Sequence, residues 1–359
     1  MSVYIARKLL YGFLVLWGVV TIVFILFNIL PGDPSRMLLG QRADIASVEA
    51  IKKDLGLDKP LFLQYLNFIN DLSPVSVHNA ENPESYWYYN TEKYGKKIVL
   101  LSWQDKILVL KKPYLRRSYQ SKRKVSEIIA EAFPKTLLLA TASIFLSMII
   151  GIFLGIISAL NKDKPFDKFL MIFSSLGMSV PSFFAAILMA WAFAFVLGKY
   201  TGLPLFGSLY SVDDYTGEVY VNFKNLILPA VTLGIRPLAI VISLTRSSLL
   251  EVLSQDYIRT AYAKGLNKMR VIVRHALRNT LNPVITAVSG WFASLMAGAV
   301  FVEYVFDWKG IGLVIVDALE KYDLPVIMGS VLFISVILIL VNIFVDIIYA
   351  LLDPRVSYR

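Results

Sequence analysis

Long apolar runs separated by short polar segments dominate the chain, and their lengths restrict what they can be. A bilayer core about 30 Å thick is crossed by roughly 20 apolar residues in a helix. Residues 9–30 supply 22 without a charge and end in the breaker Leu30-Pro31-Gly32-Asp33-Pro34. Residues 136–160 give 25 uncharged positions, and 169–198 give 30, with Pro181 placed to kink a tilted span. Residues 226–245 are apolar apart from Arg236 and contain Pro229 and Pro237, residues 284–302 give 19, and 324–352 are broken only by Asp346. The pattern predicts six membrane-spanning helices. The first, preceded by Arg7 and Lys8, is longer than the apolar part of a signal peptide and reads as a retained anchor.

Between the first two runs the periodicity changes. Residues 47–57 and 60–72 have helical spacing, the second carrying Phe62, Tyr65 and Phe68. Residues 98–103 and 107–110, joined by Gln104-Asp105-Lys106, predict a β-hairpin, and the Tyr- and Asn-rich stretch 82–94 reads as loop. The predicted fold class is an all-α membrane protein with an α+β insertion outside the membrane. Its divisions are 1–30 (tail and first helix), 31–135 (external region) and 136–359 (helical core with a polar loop at 251–283).

Composition sharpens this picture. Of 359 residues, 57% are hydrophobic and 17% charged, too few charges for an ordinary soluble domain, which carries about 25%. The net charge of +10 is unevenly placed. Segment 246–283 carries +5, while 199–225 carries −1 and 303–323 carries −3. Short basic loops stay in the cytoplasm, so both termini are expected there. Segment 31–135, with 17 basic and 12 acidic residues, is too long for that rule to govern. These basic stretches therefore point to lipid and protein partners rather than nucleic acid.

Catalytic chemistry is missing from the pattern. The chain has no cysteine and only two histidines, His78 and His275, so a histidine or thiolate metal site is not expected. There is no phosphate-cradling Gly-x-x-x-x-Gly-Lys-Ser/Thr, no His-Glu-x-x-His and no Gly-x-Ser-x-Gly. The sequence reads as a non-catalytic conduit that takes its energy from elsewhere.

The most informative stretch is 256–284. From Asn267 onward it has helical spacing, with Met269, Ile272, Val273, Ala276 and Thr280 on one face and Arg270, Arg274 and Arg278 on another. Upstream, Ala261, Ala263 and Gly265 are small enough to allow close approach by a second surface. By pattern, this is either an interfacial helix with arginines on lipid phosphates or a helix that docks a partner. Arg236, inside an apolar run, marks either a pathway or a pairing with lipid, acid or a wet vestibule. Asp346 fits capping or pairing with a neighbouring helix. Glu303 and Asp307 start an external loop, where they would meet a binding protein or a gate. Trp191, Trp291, Phe183 and Phe184 suit packing or the interfacial belt.

Residues Asp256-Tyr257-Ile258-Arg259-Thr260-Ala261, Ala263-Lys264-Gly265-Leu266 and His275-Ala276-Leu277-Arg278-Asn279 with Pro283 resemble the coupling loop of ABC importer permeases. The resemblance is to the dipeptide/oligopeptide and nickel branch. It extends in order through Leu30–Pro34, Leu55-Gly56-Leu57-Asp58-Lys59-Pro60, Gln64-Tyr65, Pro134-Lys135-Thr136 and Ser179-Val180-Pro181-Ser182-Phe183. It continues through Glu303-Tyr304-Val305-Phe306 with Gly310-Ile311-Gly312, to Asp346 and Leu352-Asp353-Pro354-Arg355. Arg259-Thr260-Ala261 stands where the broad importer motif begins Glu-Ala-Ala, as is usual in the peptide branch, and 73–115 looks inserted relative to the compact family pattern.

The resemblance implies a type I importer permease forming half of a pathway for di- or oligopeptides in the bacterial inner membrane. It implies a heterodimer with a second homologous permease, two cytoplasmic ATPases that bind the ATP and Mg, an extracytoplasmic substrate-binding protein, and no cofactor in this chain. Nickel or another small solute is the alternative cargo; a secondary transporter is the alternative machine. Asp256, Arg259, Ala261, Ala263, Lys264, Gly265, Leu266, His275, Asn279 and Pro283 are the expected ATPase-coupling residues, with His275 and Asn279 bracing. Pro181, Arg236, Glu303 and Asp307 are expected along the pathway or gate. No catalytic or metal-binding residue is expected.

Overall fold

The structure is a computed structural model that describes residues 2–29, 58–82, 85–213 and 216–352. The predicted helix at 47–57, the breaker at 30–34 and the motif at 353–355 lie outside the described residues, as does the Asp346 side chain. The chain divides into two compact units, one of Met1–Glu131 with Asp317–Val336, the other of Ala132–Val316 with Ile337–Arg359.

In the first unit, α1 (Ser2–Ile29) and α2 (Leu61–Leu72) meet through apolar stripes: Val23 and Phe24 pack with Phe68, Met328 and Leu332. Pro60 starts α2, where its missing N–H costs no helix bond. A three-stranded antiparallel sheet follows in the order β1–β3–β2, from β1 (Val75–Asn79), β2 (Ile98–Trp103) and β3 (Lys106–Leu110). The predicted hairpin is β2–β3, turned at Gln104 with φ 47°. Strand β1 was not predicted, because its alternate inward residues are Ser76 and His78 rather than apolar ones. The described part of the stretch 82–94 is mostly loop but ends in α3 (Thr91–Tyr94), and Tyr89 and Tyr94 are core residues beside Ile107 and Val109. The hydroxyl of Tyr94 donates to Asp71 at 2.7 Å, and Lys93 pairs with the same carboxylate at 3.1 Å. Elsewhere in this unit, Asp323 accepts from the Ser118 hydroxyl and from the Tyr119 amide, tying loop to turn.

The second unit is helical. The run 136–160 lies in α4 (Val125–Leu160), which begins eleven residues earlier than the apolar run, so that Pro134 sits inside the helix rather than before it. Next come α5 (Pro165–Ser179) and α6 (Ser182–Met189), which continues as a π-helical stretch, Ala190–Val196. The single kinked span expected over 169–198 is in fact two helices bent by 114°. Pro181 explains the break: with ψ 138° it lies outside helical geometry and starts α6 afresh. After α7 (Gly198–Thr201), an unpredicted small hairpin of β4 (Tyr210–Val212) and β5 (Val219–Val221) leads to α8 (Lys224–Leu253). The chain ends in α9 (Asp256–Ala263), α10 (Lys268–Arg270), α11 (Leu277–Val305), α12 (Ile311–Glu320) and α13 (Leu324–Leu352).

Small residues let these helices approach closely. A Cβ on Gly155 of α4 would lie 2.6 Å from Thr245 Cβ and 2.9 Å from the Ile242 carbonyl of α8. Ser147 donates to the Gly234 carbonyl at 2.8 Å across the same seam. Among the described residues, three helices are long and apolar enough to cross a membrane, or five if each bent pair is one span; the apolar part of α1, Leu10–Leu26, is shorter. The protein is a multi-pass membrane protein.

Candidate functional site

The polar stretch after α8 folds as a hairpin of helices. Asp256 opens α9, favourably placed at the positive helix end. Gly265 closes it with φ +78°, a left-handed conformation that glycine adopts without strain. The Asn267 side chain then caps the next helix by accepting from the Arg270 amide at 2.9 Å. One face of α9 is internal: Ile258 and Ala261 pack with Ala159, Leu249, Val271 and Ala276. Ala261 thus packs within its own chain, and Leu266 is half-buried against the same cluster.

The outward face carries Asp256, Arg259, Ala263, Lys264 and Gly265, with Tyr257 and Tyr262 beside them. A Cβ at Gly265 would meet nothing within 4 Å. Asp256 and Arg259 form only an exposed ion pair, 3.5 Å. Asn279 donates to the Tyr257 hydroxyl at 2.8 Å, bracing α9 against α11. His275 is half-buried and Pro283 exposed within α11.

The predicted apolar face beyond Asn267 is only partly formed. Ile272, Ala276 and Thr280 are buried, but Met269 and Val273 are exposed. The reason is a π-helical stretch, Val271–Ala276, whose wider turn shifts the register, burying Val271 and turning Val273 out. Arg270, Arg274 and Arg278 remain exposed, as the stripe predicts.

The four expected pathway residues separate into two places. Glu303, expected at a binding-protein contact or a gate, is wholly buried. Its carboxylate accepts from the Thr136 hydroxyl at 2.6 Å and from the amides of Gly312 and Leu313 at 2.7 and 3.3 Å. It thereby caps the first turn of α12 from a distance. Thr136 in turn accepts from the Ile311 amide at 2.8 Å, and the Trp308 indole donates to the Lys135 carbonyl at 3.0 Å. A Cβ on Gly310 or Gly312 would collide with the Glu303 carboxylate, which accounts for both glycines. Asp307 sits in the adjoining turn with φ 54°, paired with Lys309 at 2.6 Å.

Arg236 lies elsewhere, on a cavity that Val180 and Ser182, the two neighbours of Pro181, help to line. A cavity of about 50 Å³ lies at the α5–α6 break, lined by Val180, Ser182, Thr232, Arg236, Trp291 and Ser294 among others. Arg236 Nε and Thr232 Oγ1 are buried without hydrogen-bond partners. A second buried charge, Asp167 of α5, is satisfied: it accepts from Arg246 at 2.6 and 2.7 Å, from the Asp163 amide at 2.9 Å, and from Ser158. Pattern reading missed this cluster because its members lie 79 residues apart.

The bent helices, the seam between α4 and α8 and the helical hairpin define a type I ABC importer permease fold. The same fold is seen in a chain of the MetNI methionine ABC transporter solved in inward-facing conformations, with a TM-score of 0.50 and 14% identity over 64% of this chain and 97% of that one. Residues 151–358 match the profile of the binding-protein-dependent transport system inner membrane component family, and 1–140 match the profile of its N-terminal region. The chain belongs to that family. It is 33% identical to the di/tripeptide transport system permease protein DppB of Pseudomonas aeruginosa, with 99% of both chains covered. It is 32% identical to the dipeptide transport system permease protein DppB of Alkalihalophilus pseudofirmus, covering all of both. It is also 32% identical to the glutathione transport system permease protein GsiC of Escherichia coli K12, covering 99% of each.

Proposed function

We propose that the chain is one permease subunit of an ATP-driven importer of di- and oligopeptides in the bacterial inner membrane. It spans six times with both termini in the cytoplasm and forms half of the pathway beside a second, homologous permease. A substrate-binding protein delivers cargo from outside. Two cytoplasmic ATPases, which hold the ATP and Mg, seat against 251–283. This subunit itself catalyses nothing. Near full-length identity to peptide and glutathione permeases supports the cargo class.

The observation that carries the coupling role is the outward face of α9 and its turn. Ala263 and Gly265 leave room for a closely seated partner, the aromatic rings of Tyr257 and Tyr262 offer anchors, and flanking Arg259 and Lys264 fix register. ATP-driven approach of the ATPases would push on this hairpin and switch the pathway from inward- to outward-facing. The test is peptide uptake and peptide-stimulated ATP hydrolysis by the full complex in proteoliposomes. Gly265→Trp is expected to cut uptake more than tenfold while the complex still assembles; Gly265→Asn, which tolerates positive φ, is expected to retain most of it. Wild-type uptake by the Trp variant would overturn the docking assignment.

A further inference from the structure

The cavity at the α5–α6 break contains the chemistry of an anion site. Arg236 lies about 18 Å along α8 from Lys224, near the middle of that 30-residue helix. Trp291 lies midway along α11. A guanidinium at such depth is stabilised only by a counter-charge or by water, and Arg236 has no acidic partner among the described residues. Thr232, only 3% exposed, sits one helical turn before it on the same cavity wall, its hydroxyl free. The hydroxyls of Ser143, Ser147 and Thr280 bond to the carbonyl four residues back; that of Thr232 does not. Facing both is the start of α6, where Pro181 provides no side-chain cap and the first-turn amides have no helical acceptor. Exposed Ser294 and half-buried Ser182 border the cavity.

Arg236, Thr232 and the first turn of α6 therefore line a space too small for a peptide but large enough for one carboxylate head or a few waters. Resting on the peptide-importer reading, we propose that Arg236, Thr232 and the first turn of α6 form a midmembrane subsite for the terminal carboxylate of a peptide in transit. The planar guanidinium suits a carboxylate bidentately, and the α6 dipole adds to it. Because only the head enters, the subsite reads the common end of peptides and ignores their side chains.

The test compares a dipeptide with its C-terminal amide, using the full importer in proteoliposomes with one unaltered binding protein throughout. Arg236→Gln is expected to lower uptake of the free acid about tenfold while leaving amide uptake unchanged, and Arg236→Lys to recover part of the loss. Thr232→Val is expected to act in the same direction, by about threefold. Equal loss for acid and amide, or loss for neither, overturns the subsite. A second readout needs no transport: Trp291 fluorescence of the purified chain in lipid nanodiscs, titrated with N-acetylglycine or its amide, with Trp291→Phe identifying the signal. Quenching by the acid alone, abolished by Arg236→Gln, is expected; equal quenching by both overturns the subsite. Absence of peptide uptake by the wild-type complex with that selective quenching intact would sink the peptide reading and leave the subsite standing.

Discussion

Within the helical unit, the carboxylate of Glu303 accepts three hydrogen bonds in a site closed by two glycines, whereas the guanidinium of Arg236 faces a cavity with its Nε unpaired. Both residues are charges carried by long helices, Arg236 within an apolar run and Glu303 at the end of one. The difference lies in satisfaction. A buried charge whose every oxygen is met holds helices in place; one left open at a cavity keeps its capacity for something that arrives later. Asp167 with Arg246 belongs to the first kind.

This contrast can be broken by measuring stability. Glu303→Ala strands the Gly312 and Leu313 amides and the Thr136 hydroxyl, and is expected to cost about 4 kcal/mol, read as lost folded protein on thermal titration in detergent. Arg246→Ala leaves Asp167 buried beside Ser158 and is expected to cost about 3 kcal/mol in the same assay, with Arg246→Lys recovering only part because the bidentate fork is lost. Outside the membrane, burial, reinforced by the Lys111 ammonium, pulls the His78 pKa down to about 4. The unfolded region takes up that proton below 6.5 and the folded one only near 4. Stability of the β1–β3 sheet is therefore expected to fall on acidification through that window, by about 2 kcal/mol at pH 5. Hydrogen exchange corrected for intrinsic rates checks this, and His78→Gln is expected to flatten the slope. Arg236→Met, by contrast, is expected to change stability by about 1 kcal/mol or less, and upward, since no partner is stranded. A large loss there would erase the distinction from Glu303.

Much of this organisation was legible. Length and apolar runs located the helices, and the helix over 60–72 and the 98–110 hairpin emerged because period and turn residues agree locally. What failed was what depends on distant partners or on a shifted register. The burial of Glu303 could not be read from its place after an apolar run; its partner Thr136 lies 167 residues away. That Ala261 packs against Leu249 and Val271 was not legible either, because small size does not reveal which side is approached. Val273 is exposed because a π-turn, invisible to a 3.6-residue period, intervenes. Arg236 could be singled out by its apolar flanks, but Thr232 could not, since nothing in the sequence says that a threonine hydroxyl lacks its usual carbonyl.

The three-stranded sheet ends in β2, an edge strand whose six residues are all exposed, among them Ile98, Val99, Leu100, Leu101 and Trp103. Among the described residues its only ladder partner is β3, so the far side offers unpaired backbone groups beside apolar side chains. Excised as a soluble fragment, the region is poised to pair with copies of itself and aggregate, and a lysine at Val99 or Leu101 is the substitution to blunt that edge.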